Sequence, residues 1–194
     1  GAPLYAYEFN GYWKDVGTLN SYWEANMELI DIVPEFNLYE EYWKIYTKSD
    51  ALPPQYLSWD SVVERSIIGE GSEIYGKVYS SVIGCGVTIG EGTIVRDSII
   101  MNSVEIGAGC ELNKAIIAEN VVVGNNVKLG IGEEVQNDTA PHIYSHGIVT
   151  IGEKSVIPDN ITVGKNTVIF GATTDADYDN AYLASGKSLI KAGE

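Results

Sequence analysis

Cysteine and histidine are scarce in these 194 residues: Cys85, Cys110, His142 and His146 are all there is. Two cysteines cannot staple a disulfide framework, so both read as reduced thiols. Positive charge is scarce too, with 12 Lys and Arg against 27 Asp and Glu and a formal net charge of −15. Such a surface repels phosphate backbones and anionic headgroups, so neither nucleic acid nor a membrane is expected as a partner. No apolar run approaches the roughly 20 residues of a spanning helix, and Gly1–Asn10 has neither the basic start nor the apolar stretch of a signal peptide. A cytoplasmic protein is expected; the Asn137-Asp138-Thr139 and Asn160-Ile161-Thr162 sequons would matter only in a secreted one. What is plentiful is aliphatic side chain and glycine. With 45% hydrophobic residues and 21 Gly, the chain can bury a core as one domain, or as one domain with an appendage.

That material is arranged as a repeat. SIIGEGSEI (66–74), SVIGCGVTIG (81–90), SIIMNSVEIG (98–107) and AIIAENVVVG (115–124) align, their starts 15, 17 and 17 residues apart. Each has a small residue, two aliphatics, and another aliphatic six positions past the second: Ile68 to Ile74, Ile83 to Ile89, Ile100 to Ile106, Ile117 to Val123. Val95, Leu112 and Leu129 add a third set at the same step, and Ile151, Ile157, Val163 and Ile169 resume it after an interruption. A period of six is neither helical nor plain alternation, so the chain must bend once per unit, as short extended segments joined by tight corners. Alternation places the small or β-branched residue two positions earlier (Ser66, Ser81, Thr93, Ser98, Cys110, Val121, Val127) on the same inward side. Gly69, Gly84, Gly90, Gly107, Gly124 and Gly164 directly follow the aliphatics, where corners are expected to need unusual backbone angles. Three sides per coil make a triangular prism of parallel strands, stacked about 4.8 Å apart. Each inward Ile or Leu is worth roughly 1.5–3 kcal/mol of burial. In this register Cys110 points inward and reacts slowly with thiol reagents, while Cys85 sits near a corner and reacts faster. The pattern resembles the hexapeptide repeats of left-handed parallel β-helices, and the hand is implied by that resemblance alone, because parallel crossovers are otherwise right-handed.

Residues 130–150, GIGEEVQNDTAPHIYSHGIVT, break the period, with the interruption bounded at about 130–147, and carry both histidines. The spacing of His142 and His146 suits a metal pair on a helix, but Pro141 and Gly147 flank it and the stretch reads as a loop crossing between coils. Hexapeptide-repeat acyltransferases use a loop histidine as general base, and that activity stays open as an alternative. β-Helical carbonic anhydrases hold zinc with three histidines, one more than this chain has.

The first 60 residues have a different character. PLYAYEF (3–9) alternates well enough for a strand. From Thr18 onward Leu19, Tyr22, Trp23, Asn26 or Met27, and Ile30 recur at helical spacing; Thr18, or Ser21 with Glu24, supplies the cap, and the helix is expected to end near Ile32-Val33-Pro34. Leu52-Pro53-Pro54-Gln55-Tyr56 then reads as an extended linker. Strand, turn and helix would expose the Asp15 carboxylate at a sheet edge. The plainer reading makes Asp15 a turn residue bonded to its own backbone, and Trp13 and Trp23 core aromatics.

YEFNGYWKDVGTLNSYWEANMELI (7–30), followed by NLYEEYWKIYT, LPPQY, the hexapeptides and the ending SGKSLIKAGE, resembles the carboxy-terminal part of bacterial glucose-1-phosphate adenylyltransferases, the ADP-glucose pyrophosphorylase family. The resemblance spans essentially the whole chain. It implies residues 1–50 as the end of a nucleotidyltransferase (catalytic) domain, 51–60 as linker and 61–194 as a left-handed β-helix, so that the fold is mainly β with a short α/β remnant in front. It implies transfer of an adenylyl group from ATP to glucose 1-phosphate, with release of pyrophosphate, in glycogen biosynthesis. The family's magnesium-binding aspartate corresponds to Asp15, and the tryptophan beside its sugar-phosphate site corresponds to Trp13. One carboxylate does not hold Mg2+ usefully, so the other ligands, with the G-x-G-T-R-L-x-P-L-T nucleotide loop, belong to a preceding domain, and these residues alone are expected to be inactive. Another sugar-phosphate nucleotidyltransferase, for example one using GTP and mannose 1-phosphate, is the nearest alternative.

The family's β-helix joins subunits into homo- or hetero-tetramers and helps form an allosteric site. Segments that carry activator-contacting lysines in some members match AIIAEN and GIVTIGEK, which places Glu119 and Glu153 there, with Lys154 one position away. Carboxylates oppose a phosphorylated effector, so weak regulation by sugar phosphates, or regulation through a partner subunit, is implied. Tyr5, Tyr7, Phe9, Trp13 and Trp23 are expected on the surface that meets the catalytic domain.

Overall fold

The structure is a computed structural model, and it describes residues 2–38, 40–44, 46 and 51–191. The expected domain boundary at residue 50 and the last three residues of the SGKSLIKAGE ending lie outside the described residues. From Tyr56 onward the chain winds as a β-solenoid with three parallel sheets of six, seven and seven strands. The first sheet runs from Tyr56–Leu57 to Val156–Ile157, the second from Val62–Glu64 to Tyr182–Leu183, and the third from Ile67–Ile68 to Ser188–Ile190. Its first strand, Tyr56–Leu57, falls in the stretch read as linker. Among the described residues no helix is long and apolar enough to cross a membrane.

The six-residue period becomes three columns of stacked side chains. Ile74, Ile89, Ile106, Val123 and Ile157 are in register along the first sheet. Val78, Val95, Leu112, Leu129 and Val163 form the second column. Ile83, Ile100, Ile117, Ile151 and Ile169 form the third. All of them are buried in one continuous core. Every repeat aliphatic expected inside from Ile74 to Ile169 is inside, and Ile68, at the first coil, is partly buried against the same core.

The small inward residues have a second task at the corners, where peptide groups turn out of the strand ladder and need partners. Ser98 Oγ donates to Arg96 O (2.6 Å) and accepts from Ala115 N–H (3.1 Å). Ser98 N–H donates to Ser81 Oγ, and Ser81 N–H to Ser66 Oγ, both at 3.1 Å. Thr93 Oγ1 accepts Cys110 N–H in the same way on another edge (3.0 Å).

The glycines correct one expectation. None of Gly69, Gly84, Gly90, Gly107, Gly124 or Gly164 has an unusual φ; the positive angles lie elsewhere, at residues such as Gly86, Asn120 and Asn126. These glycines are required by proximity instead: a Cβ on Gly90 would lie 2.6 Å from the backbone carbon of Gly107 in the next coil. Glycine stacks on glycine because coils touch backbone to backbone there.

Among the described residues in front of the solenoid stands one helix, α1 (Leu19–Glu28), capped by Thr18, whose side chain accepts Ser21 N–H (3.1 Å) while Ser21 Oγ accepts Thr18 N–H (3.1 Å). It stops before the expected Ile32-Val33-Pro34: Leu29, Ile30 and Asp31 N–H bond three residues back, to Asn26, Met27 and Glu28, tightening the last turn. PLYAYEF forms no strand, for no strand among the described residues pairs with it, and an extended segment gains a strand's hydrogen bonds only from a neighbour.

Candidate functional site

Tyr12-Trp13-Lys14-Asp15 folds back along α1 with alternate residues tied down. Tyr12 stacks on Phe36 (ring centroids 5.4 Å apart) and its hydroxyl donates to Glu28 (3.1 Å). Lys14 pairs with Glu28, and with Glu24 at 3.8 Å. That hydrogen bond holds the Glu28 carboxyl below its usual range and the Lys14 ammonium above its own. The intervening residues are left outside: Trp13 is 77% exposed and Asp15 is exposed. Asp15 Oδ1 accepts Gly17 N–H (3.0 Å), the turn bond of the plainer reading, and Thr18 then opens α1. The two roles are compatible, since a carboxylate fixed through one oxygen can still offer the other. No group of three or more His, Cys, Asp and Glu able to hold a metal occurs among the described residues. Asp15 therefore fits an octahedral oxygen site as a single ligand and not as a complete one.

α1 is seated on the outside of the solenoid. Leu19, Tyr22, Trp23 and Met27 pack on Ile99, Ile116 and Ile148, a second buried cluster on the outer face of the third sheet. Trp23 Nε1–H donates to Asp97 O (2.7 Å), and the Lys114 ammonium sits 4.6 Å from its ring centroid. Trp23 thus leaves the aromatic set expected on the surface facing a catalytic domain, because it is spent on the solenoid. Tyr5, Tyr7, Phe9 and Trp13 do stay exposed.

Residues 132–148 replace a single corner, between the strands Lys128–Ile131 and Val149–Ile151. They form a folded arc more than a free loop. Asn137 is buried, its Oδ1 accepting Thr139 and Ala140 N–H (2.9 Å each) and its Nδ2 donating to Asn166 O (2.9 Å). His142 and His146 are both exposed, and His146 Nδ1 lies 2.8 Å from Ser145 Oγ. His142 and Ile143 face Val16, Gly17, Thr18, Leu19 and Tyr22 across an open groove.

Glu119, Glu153 and Lys154 do come together. Lys154 N–H donates to Glu119 O (3.1 Å), so their corners stack, and Lys154 Nζ pairs with Glu153 (3.4 Å) while Glu119 accepts Asn102 Nδ2 (3.2 Å). Sequence reasoning missed Ile99, Ile116 and Ile148. The signal was present: each S-I-I unit carries two adjacent aliphatics, of which only one can point inward.

Comparison with known proteins matches two families to separate parts of the chain. The family described as "Nucleotidyl transferase" matches residues 1–32, and the family described as "GlmU-like, C-terminal hexapeptide" matches residues 58–151. The fold is a hexapeptide-repeat β-solenoid, preceded by a short segment with one described helix that is similar to the Nucleotidyl transferase family. Within that class the chain is homologous to the carboxy-terminal part of glucose-1-phosphate adenylyltransferases. It is 63% identical over 191 residues to the protein of that name from Lachnospira eligens, covering 98% of this chain and 45% of that one. The Acetivibrio thermocellus protein is 46% identical over 194 residues (100% and 46%), and the Thermotoga maritima protein 49% over 187 (96% and 44%). The chain thus spans a little under half the length of the curated relatives it matches.

Proposed function

We propose that these residues are the carboxy-terminal part of an enzyme that forms ADP-glucose and pyrophosphate from ATP and glucose 1-phosphate, supplying glycogen synthesis. The observation that carries this is the exposed Trp13–Asp15 edge, held on α1, in a chain that resembles glucose-1-phosphate adenylyltransferases over nearly all its length. Asp15 would lend one oxygen to Mg2+, alongside the substrate phosphates and groups outside these residues. Bound magnesium offsets charge on the attacking and leaving oxygens. Trp13 offers its ring to the sugar phosphate. The one G-x-G-T in the sequence, Gly90-Glu91-Gly92-Thr93, is a solenoid corner with Thr93 buried and not a phosphate-cradling loop, and by themselves these residues do not carry out the reaction. The solenoid serves subunit assembly and regulation. Its Glu119–Glu153–Lys154 corner, with two carboxylates and an ion-paired lysine, disfavours phosphorylated effectors, so fructose 1,6-bisphosphate and 3-phosphoglycerate activate weakly.

The test is a chimera in which this chain replaces the matched 191 residues of the Lachnospira eligens protein. The chimera is expected to make ADP-glucose, the 194 residues alone none, and Asp15→Asn in the chimera to lose about 10²-fold or more in kcat. Full activity of the Asp15→Asn chimera would falsify the role given to Asp15.

A further inference from the structure

We infer that the 132–148 arc is a positioning element for the Asp15 segment, and that the buried amide of Asn166 sets it; the catalytic consequence rests on the function proposed above, the mechanical coupling does not. Asn166 stands at a solenoid corner with φ +54° and is 3% exposed. Its Oδ1 accepts Gly147 N–H (2.7 Å) and its Nδ2 donates to Val135 O (2.8 Å), so one side chain ties both ends of the arc. Asn120, Asn126 and Asn160, the other positive-φ asparagines among the described residues, are exposed. A corner needs only the backbone angle; burial with both ends of the amide engaged goes beyond that.

From the clamp the structure leads to the motif by two routes. Gly147 is followed by Ile148, 1% exposed in the cluster under Leu19, Tyr22, Trp23 and Met27. The tip of the arc, His142-Ile143, shares a groove with Val16, Gly17, Thr18, Leu19 and Tyr22. Asp15 takes its orientation from Gly17 N–H and the Thr18 cap, which these contacts flank. A carboxylate that must meet a metal held elsewhere tolerates little drift, since a misplacement of about 1 Å costs on the order of 10²-fold. Asn166 is therefore a positioning residue, acting through Gly147, Ile148 and α1.

Hydrogen exchange read by mass spectrometry on the 194-residue chain tests the coupling without any catalysis. Asn166→Gly keeps the positive φ and removes both tethers; Asn166→Asp keeps the acceptor for Gly147 and loses the donor to Val135. The expected result for Asn166→Gly is exchange about tenfold faster at 135–148 and again at 17–23, with the coils from Ile99 to Leu129 unchanged, and Asn166→Asp, which sets a buried carboxylate against Val135 O and Glu134, exchanging at least as fast at 135–148. Faster exchange at 135–148 with 17–23 unmoved overturns the inference. In the chimera, Asn166→Gly should lower kcat about tenfold with KM for ATP unchanged, and cost nothing further on top of Asp15→Asn. Additive losses would overturn positioning through Asp15. An Asp15→Asn chimera of full activity overturns the role given to Asp15 and leaves the exchange result standing, whereas a parent chimera that makes no ADP-glucose overturns the proposed function.

Discussion

Ser98→Ala and Ser155→Ala are the same chemical change at two inward positions of one stack, and they should move stability in opposite directions. Both serines are 0% exposed. Ser98 Oγ is the acceptor for the N–H of Ala115, itself 0% exposed, so Ser98→Ala strands a buried donor at a cost of about 1–3 kcal/mol. Arg96 O suffers little, because it keeps Lys114 N–H (3.1 Å). Ser155 occupies the stack between Val121 and Thr173, and its hydroxyl has no hydrogen-bond partner among the described residues. Ser155→Ala removes that desolvated hydroxyl and leaves a gap of one oxygen atom, for a net gain of about 1 kcal/mol. At ~2–4 °C per kcal/mol for a chain of this size, calorimetry should find Ser98→Ala melting several degrees below the parent and Ser155→Ala a few degrees above it. If both fall by similar amounts, the inward hydroxyls act as packing volume only, and the corner-satisfaction account fails.

Thiol labelling tests the register from another side. Cys110 is 1% exposed, and burial pushes its thiol up, while Cys85 is half-buried at a corner; with Ellman's reagent under native conditions Cys85 should react at least tenfold faster, and equal rates would refute the placement. Tyr178, packed on the core and 3.2 Å from Thr173 Oγ1, is pushed up to about 12 by burial. Its folded form holds the proton more tightly than the unfolded chain, whose phenol titrates near 10, so the contribution is intact below pH 10 and is lost as pH rises toward 12. Allowing for its partial exposure, that loss is on the order of 1–2 kcal/mol. Urea unfolding at pH 9 and 11.5 should show an alkaline loss smaller in Tyr178→Phe than in the parent by about that amount; equal losses would sink the assignment.

Most of the solenoid was legible because its core is one-dimensional. An inward residue touches the equivalent residue of the coil above and below, so the period in the chain is the contact map. Ile83, Ile100 and Ile117 could be stacked on paper for that reason. The corners were read in the right places with the wrong physics: Gly90 was credited with an unusual φ, whereas the structure asks only that it lack a Cβ under Gly107. Steric closeness between coils leaves the same glycine in the sequence as conformational freedom does. PLYAYEF failed as a strand for a different reason, since alternation states which face is apolar and says nothing about whether a partner edge exists.

The candidate site was legible as chemistry and illegible as mechanics. Asp15 and Trp13 stood out through the W-K-D-V-G-T motif, but the support for α1 comes from residues 70 to 130 positions away in the chain, which no local window contains. The pairs Ile67-Ile68, Val82-Ile83, Ile99-Ile100 and Ile116-Ile117 held the clue. The second member of each faces the core, so the first faces out, and an outward aliphatic gains burial only where something covers it. Ile99 and Ile116 are buried under α1, whereas Ile67 and Val82, nearer the start of the same sheet, are only half-buried. The apolar outer stripe thus marks the footprint of the helix that carries the motif. By this reasoning Ile116→Ser should loosen α1 without unwinding the coils, so that tryptophan emission from Trp23 shifts toward that of water-exposed indole while the β-sheet circular dichroism holds. Loss of both signals together would mean that helix and solenoid are one cooperative unit, and that the stripe belongs to the stability of the coils and not to the docking of the helix.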